Sequence, residues 1–315
     1  MSNISMKLLK NRFLHILIGI IALGVVPLSA QTVRQSVRES LPPFSSISLG
    51  GDFNMEIHYG KQFSARLDVE ELFAEYVRFN VADSTLTVEL DDRKVPMDVR
   101  KLFRGKDGAP AFRVIVTMPE YLRSLHLHDR AVLLSAEDLV VAPSAVDIQV
   151  TDNARIASFA FGTGRVNLDV DRKGDVRVNV SCDSLSVRLG GSASLDLEQH
   201  VLSSALEVSG TSSLLLKGAA KKMALGAKGN SKSILNGVVP GVRYQVSGLA
   251  QVNAVNLEAE RAEVEMSGLC SLIQSASEEL TVDISGGSTL SFQNAPAIRI
   301  RQIKNATMTP YAAGK

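Results

Sequence analysis

Val187-Arg-Leu-Gly-Gly-Ser-Ala-Ser-Leu195 is followed along the chain by Leu206-Glu-Val-Ser-Gly-Thr-Ser-Ser-Leu214, Leu225-Gly-Ala-Lys-Gly-Asn-Ser-Lys-Ser233 and Tyr244-Gln-Val-Ser-Gly-Leu-Ala-Gln-Val252. Each stretch reads apolar, x, apolar, x, Gly, x, small, x, apolar, with Ser233 the one departure in the last place. Strict alternation of apolar and polar residues is the period-2 signature of a strand. The third residue of each stretch has counterparts on both sides: Leu127, Val150, Val170, Leu189, Val208, Ala227, Val246, Met266 and Ile284, at intervals of 23, 20, 19, 19, 19, 19, 20 and 18 residues. Nine copies therefore run in register from Leu125 onward.

A period near nineteen with no i, i+3, i+4 pattern inside it predicts an all-β solenoid in which each copy is one coil and like residues stack. One coil cannot bury its own apolar face. Stacked at the ~4.8 Å strand spacing, nine coils span on the order of 40 Å, and ladders of Leu, Val and Ile fill the axis. Two residues past the reference stand Gly191, Gly210, Gly229, Gly248, Gly268 and Gly286, preceded by Asp129, Asp152 and Arg172 in the first three copies. Four past it every residue is small, from Ala131 to Ser288. These columns read as corners, where the chain bends or two backbones approach closely. The Leu-x-x-Leu-x-Leu-x-x-Asn spacing of a leucine-rich repeat is absent.

The 315 residues carry 34 basic and 33 acidic side chains, a balance that lacks the basic face expected of a nucleic-acid binder. Lys7, Lys10 and Arg12 precede the apolar run Ile16 to Val26 and the small residues Ser29 and Ala30, so residues 1–30 read as a secretory signal peptide. The other reading is an uncleaved N-terminal anchor. No later stretch approaches the eighteen apolar residues of a membrane-crossing helix, so no transmembrane segment is expected once the signal is removed. The expected location is outside the cytoplasm: periplasmic, outer-membrane-associated or extracellular.

Residues 31–43 read as an N-terminal linker, 44–124 as an irregular N-terminal part of the solenoid with a charged loop at 91–111, 125–300 as the regular solenoid and 301–315 as a C-terminal tail. Within 44–124, Phe44 to Ile57 fits the coil alternation with Gly51 at the corner, 78 residues before its counterpart Asp129. The stretch Leu72 to Val81 is ambiguous between helix and strand. Cys182 falls between copies and Cys270 lies in the small column, about five coils or roughly 24 Å apart. A disulfide needs Cα atoms within roughly 7 Å, so both are expected as free thiols.

The opening Phe44-x-x-Ile47-x-Leu49-Gly50-Gly51-Asp52-Phe53-x-Met55-x-Ile57, ending in Tyr59-Gly60, resembles a known family, the auto-transporter adhesins of the head GIN domain type. So do the strand Thr85 to Val88, the junction from Val114 through Pro119 to Leu127, and the repeated Val/Met-Ser-Gly at 208–210, 246–248 and 266–268. The likeness covers roughly residues 40 to 300. It implies a single-stranded right-handed β-helix in an exported or periplasmic protein of Bacteroidetes-like bacteria. Asp129, Asp152 and Arg172 depart from the pattern by replacing the corner Gly.

Chemistry is sparse. His126 and His128 alternate with Leu125 and Leu127, a spacing that can pinch a metal from one strand face; solvated strand residues are the plainer reading. Asp129, Asp152 and Asp169 are candidate catalytic carboxylates for a carbohydrate-active β-helix enzyme, which needs two carboxyls about 5 to 10 Å apart. In the outward column Asp169, Arg188 and Glu207 alternate in sign, as an ion-pair ladder between coils does. No nucleophile elbow, zinc-protease, phosphate-loop, Rossmann or EF-hand motif is present. No cofactor is expected. The expectation is an exported, non-enzymatic solenoid that binds a glycan or an envelope or surface protein through the outward columns of copies one to three. Those copies read equally well as a capping end, and a polysaccharide lyase or hydrolase is the alternative function.

Overall fold

The computed structural model describes residues 33–38, 40–102, 112–119, 122–136 and 142–311; the segment read as a signal peptide lies outside them. The described chain is a β-solenoid of about nine turns. Its central coils are long strands such as Asp175–Leu189, Ser194–Val208 and Ser213–Ala227, each joined to the next by a four-residue turn.

The nine reference residues form one continuous parallel column, Leu127 beside Val150, then Val170, Leu189, Val208, Ala227, Val246, Met266 and Ile284. Every side chain of this column is buried. Within one coil Leu206, Val208, Leu214 and Leu216 are at most 2% exposed. Each such side chain is worth about 1.5–3 kcal/mol of burial, an upper estimate because the unfolded chain is itself partly collapsed. The segments between the alternating bursts are strand as well. Cys182 sits inside Asp175–Leu189, stacked between Thr163 and Val201, and is not in an irregular connection. Both cysteines are free and buried.

At the corners every residue of the column has a positive φ: Gly51, Gly191, Gly210, Gly229, Gly248, Gly268 and Gly286, and also Asp129, Asp152 and Arg172 at 60°, 63° and 60°. The Ala154 N–H donates to the Thr151 carbonyl at 3.1 Å, closing a turn whose left-handed residue is Asp152. Asp tolerates this backbone better than most residues with a Cβ, and Arg does not share that advantage. Only close stacking makes Gly obligatory. A Cβ built on Gly210 would lie 2.4 Å from the Gly191 carbonyl oxygen.

The ends differ from the expectation. Ser46–Leu49 and Asn54–Tyr59 form a coil that stacks directly on Ser124–Leu127 and Val132–Ala136, pairing Leu49 with Leu127. Leu49 and Leu127 stand 78 positions apart in the sequence, and between them Thr85–Leu90 and Phe112–Met118 stack in parallel on the outer side of the first coil. They form a cap. Ser64–Glu70 runs antiparallel to Phe112–Met118, and Val77–Ala82 makes an antiparallel hairpin with Thr85–Leu90. Between them is the 3-10 helix Glu71–Tyr76, whose Phe73 packs on Phe112 with ring centroids 5.3 Å apart. The stretch read as a linker contains the strand Val33–Arg38, antiparallel to Ser64–Glu70. The stretch read as a charged loop contains the short helix Met97–Leu102, and its remainder from 103 to 111 lies outside the described residues. The stretch read as a tail continues the solenoid: Ala297–Lys304 and Thr307–Pro310 stack on the preceding coil, with left-handed Asn305 between them.

Candidate ligand-binding surface at the first coils

The corner residues of the first copies turn toward their neighbours. Asp129 accepts a hydrogen bond from the Gly51 N–H through Oδ2 at 3.0 Å, and the same oxygen lies 2.9 Å from His128 Nδ1. His128 Nε2 lies 3.3 Å from Glu89 of the cap hairpin. It gets there by lying across Gly50, where a Cβ would sit 2.1 Å from the imidazole Cε1. A side chain at Gly50 would displace the imidazole from that position, a second reason for the Gly50-Gly51 pair that the corner alone does not supply. Arg130 forks onto Asp52 with both Nε and Nη2, the latter at 2.6 Å, and reaches Asp92 at 3.8 Å. The carboxylate of Asp52 holds the Arg130 guanidinium above its ordinary range.

Asp152 pairs with Arg172. Partial burial works against the charged form of Asp152, but the Arg172 guanidinium and a backbone donor at Asp129 outweigh it, so this carboxyl stays below the usual carboxylate range. Asp129, Asp152 and Arg172 thus join the capping coil to copies one to three by a chain of charge contacts. Most of these side chains are more than a quarter exposed, so each pair contributes modestly, on the order of 0–1 kcal/mol.

His126 and His128 are brought together as the alternation implied, with ring centroids 5.1 Å apart. Burial first, and then the neighbouring His128, keep the His126 imidazole below the ordinary histidine range. Among the described residues no group of three or more His, Cys, Asp or Glu side chains is arranged to hold a metal ion. The partners of His126 in its column are Ser48 and Gln149, neither of them a strong metal ligand.

Asp169 belongs to a different face from Asp129 and Asp152. It stands in the outward sheet column His126, Gln149, Asp169, Arg188, Glu207. The ladder expected there closes between Arg188 and Glu207 at 4.0 Å, both largely exposed. Asp169 and Asp147 line a shallow groove of about 520 Å³ with Gln149, Asn167, Ser186 and Arg188. Neither Asp129 nor Asp152 reaches it, so the three candidate carboxylates do not share one cleft. Asn167 donates to Asp147 at 2.6 Å, fixing one wall. Its walls offer donors and acceptors spaced at about the 4.8 Å coil repeat.

Sequence reasoning missed two further features. Gly218 and Gly237 stack in adjacent coils with φ of 108° and 129°, and their equal place in the repeat is visible in the spacing of 19. Beside Gly218 lies Gln199, wholly buried, whose side-chain amide meets no partner among the described residues. No sequence signal marks that orphan, since the same column holds Val180 one coil earlier.

The family described as "Putative auto-transporter adhesin, head GIN domain" matches residues 43–218 and 197–296. The chain belongs to that family. The two matches of the head GIN domain run from the first coil to the end of the ninth regular copy and leave out the strand Val33–Arg38 and the last coil. No curated relative matches the chain. Among solved structures it is similar to a "putative adhesin" from Parabacteroides distasonis ATCC 8503 at 15% identity and TM-score 0.47, with 90% of this chain and 98% of that chain covered. A "putative adhesin" from Parabacteroides merdae ATCC 43184 is similar at 13% identity and TM-score 0.48, with the same coverage. A "Putative lipid binding protein" from Parabacteroides distasonis ATCC 8503 is similar at 14% identity and TM-score 0.41, again covering 90% and 98%. No helix among the described residues is long and apolar enough to cross a membrane.

Proposed function

We propose that this head GIN domain protein is an exported, non-enzymatic solenoid of the cell envelope or cell surface that binds a hydroxyl-rich ligand, a glycan or a glycosylated surface protein. The supporting observation is the open groove lined by Asp147, Gln149, Asn167, Asp169, Ser186 and Arg188. Its polar groups sit on rigid strands and point to solvent in register, which suits an extended ligand whose units repeat along the solenoid axis. The charge network of Asp129, Asp152 and Arg172 serves this reading by tying the first coil to the coils that carry the groove. Family membership supports a binding role at or beyond the envelope.

The test is a glycan and matrix-protein array probed with the purified chain, followed by titration of any hit against Asp169→Ala and Arg188→Ala. Binding that drops at least tenfold in both variants, with the far-UV circular dichroism unchanged, supports the reading. Absence of any hit, or a hit indifferent to both substitutions, defeats it. Cleavage of an array glycan that disappears in Asp169→Ala would establish the carbohydrate-active enzyme in its place.

A further inference from the structure

The two ends of the solenoid are finished differently. At the N-terminal end the cap buries Phe73 and Val95 over the core. At the C-terminal end, among the described residues, the inward columns run on without a cover. Leu280, Val282 and Ile284 are fully buried at 0% exposure, while their register partners Ile298, Ile300 and Ile303 in the last coil are 43%, 58% and 40% exposed. The strand Ala297–Lys304 pairs on one side with Ser271–Ser285, and among the described residues nothing pairs with its other side. A terminal coil of a repeat protein ordinarily needs a polar outer face, and an open edge of N–H and C=O groups is a template for another strand. Pro310 blunts the neighbouring strand Thr307–Pro310, but 297–304 contains no proline.

Charge narrows the occupant. Residues 297–311 hold Arg299, Arg301 and Lys304 and no carboxylate side chain, in a chain that is otherwise balanced. Arginines and carboxylates of different coils pair across the outward columns of this part of the solenoid. Arg243 pairs with Glu263 at 2.9 Å, Glu263 with Arg301 at 2.6 Å, and Glu279 with Arg299 at 3.3 Å. Glu263 is thus shared by arginines on both sides, whereas Arg299 and Arg301 have carboxylates on one side only. The coil already docked against this edge displays what fits it: Glu279-Leu-Thr-Val-Asp-Ile284, with apolar residues inward and acids outward.

We propose that the C-terminal edge at Ala297–Lys304 is a docking site for an extended segment of a partner protein in which apolar residues alternate with acidic ones, added as one more strand of the ladder. Its apolar residues cover Ile298, Ile300 and Ile303, its acids meet Arg299, Arg301 and Lys304, and its backbone closes the open edge.

The probe is a fluorescein-labelled peptide with the sequence of residues 278–285, compared by fluorescence anisotropy with the same peptide carrying Lys at its three acidic positions. The acidic peptide binds the purified chain about tenfold more tightly than the lysine peptide, from three opposite-charge contacts. Ile300→Asn abolishes the binding, and the double variant Arg299→Glu, Arg301→Glu reverses the preference. Both substitutions fall on exposed side chains of the last coil, so circular dichroism stays that of the parent. Equal binding of the two peptides, no binding, or a preference indifferent to the charge reversal overturns the proposal. So does hydrogen exchange on the free chain that finds the 297–304 amides as protected as those of 279–285, because the edge is then already covered by a second copy or by the chain itself.

Discussion

Gly210→Ala and Gly226→Ala place the same methyl group on consecutive coils and should give opposite results. Gly210 is left-handed, with φ of 73°, and its new Cβ would sit 2.4 Å from the Gly191 carbonyl oxygen and 3.1 Å from the Gly191 nitrogen. The left-handed backbone costs an L-residue roughly 1–2 kcal/mol. The clash with backbone forces the corner at 190–192 to move, which adds about 1–3 kcal/mol as an overpacked site does. That carbonyl accepts the Thr211 N–H at 2.7 Å, so the shift also loosens the rung between the two coils. Gly210→Ala should therefore cost about 2–5 kcal/mol. At Gly226 the backbone is not left-handed, and the nearest atom to a new Cβ is the Leu206 carbonyl oxygen at 3.9 Å. Ala restricts the unfolded chain there and stabilises by about 0.4–1 kcal/mol. Long repeat arrays need not unfold in one step, so urea titration followed by circular dichroism should be paired with hydrogen exchange resolved to single coils. Gly210→Ala should raise exchange first at the amides of 192 and 211, and Gly226→Ala should leave them unchanged. Equal destabilisation by the two substitutions would refute the view that corner stacking, and not strand propensity, selects Gly in this column.

Cys270 donates through sulfur to the Val246 carbonyl at 3.3 Å, in a column that elsewhere holds Ser212, Ser231 and Ser288; Cys270→Ser should cost under about 1 kcal/mol by urea titration. Burial pushes both thiols up, so the native chain should react with a thiol reagent slowly at pH 8 and the urea-unfolded chain rapidly at two groups. The Asp152 carboxyl is depressed in the folded chain, so its contribution is complete above the unfolded value of about 4 and is lost as pH falls through the lower folded value. Stability measured against pH should lose part of its acid limb in Asp152→Asn, and a limb unchanged by that substitution would contradict the Arg172 pairing. Gln199→Met replaces an unpartnered buried amide by an apolar chain of similar volume and should stabilise by about 1–3 kcal/mol; a loss of stability would reveal a hydrogen-bonding partner inside the core.

The regular coils were legible residue by residue, because a solenoid converts a sequence interval directly into a spatial neighbour. Leu189 stacks on Val170 and Val208 for no reason beyond the period of nineteen and the two-residue alternation. The same logic covers the left-handed corners and the free cysteines. The sequence does not separate Asp169 from Asp129 and Asp152; only the folded chain puts Asp169 on the sheet face and the other two at the left-handed corner. The antiparallel part of the cap was not legible. Ser64–Glu70 and Val77–Ala82 are antiparallel, and alternation of apolar and polar residues looks the same whichever way a neighbouring strand runs. Val33–Arg38 pairs with a strand some thirty residues on and shows no copy of the repeat, so composition alone left it as a linker.

The amino-acid sequence by itself determined the architecture, the register of the coils and the identity of the corner column, because all three follow from distances along the chain. Only the tertiary structure decided which charges meet: Asp129 with Gly51 and His128, His128 with Glu89 across the bare Gly50, Arg130 with Asp52 and Asp92. It also decided which end of the core is covered. Those outcomes depend on how a non-repeating cap docks on the first coil and on what faces the coil at 297–310. Docking is set by shape and charge in three dimensions, for which the one-dimensional period has no term.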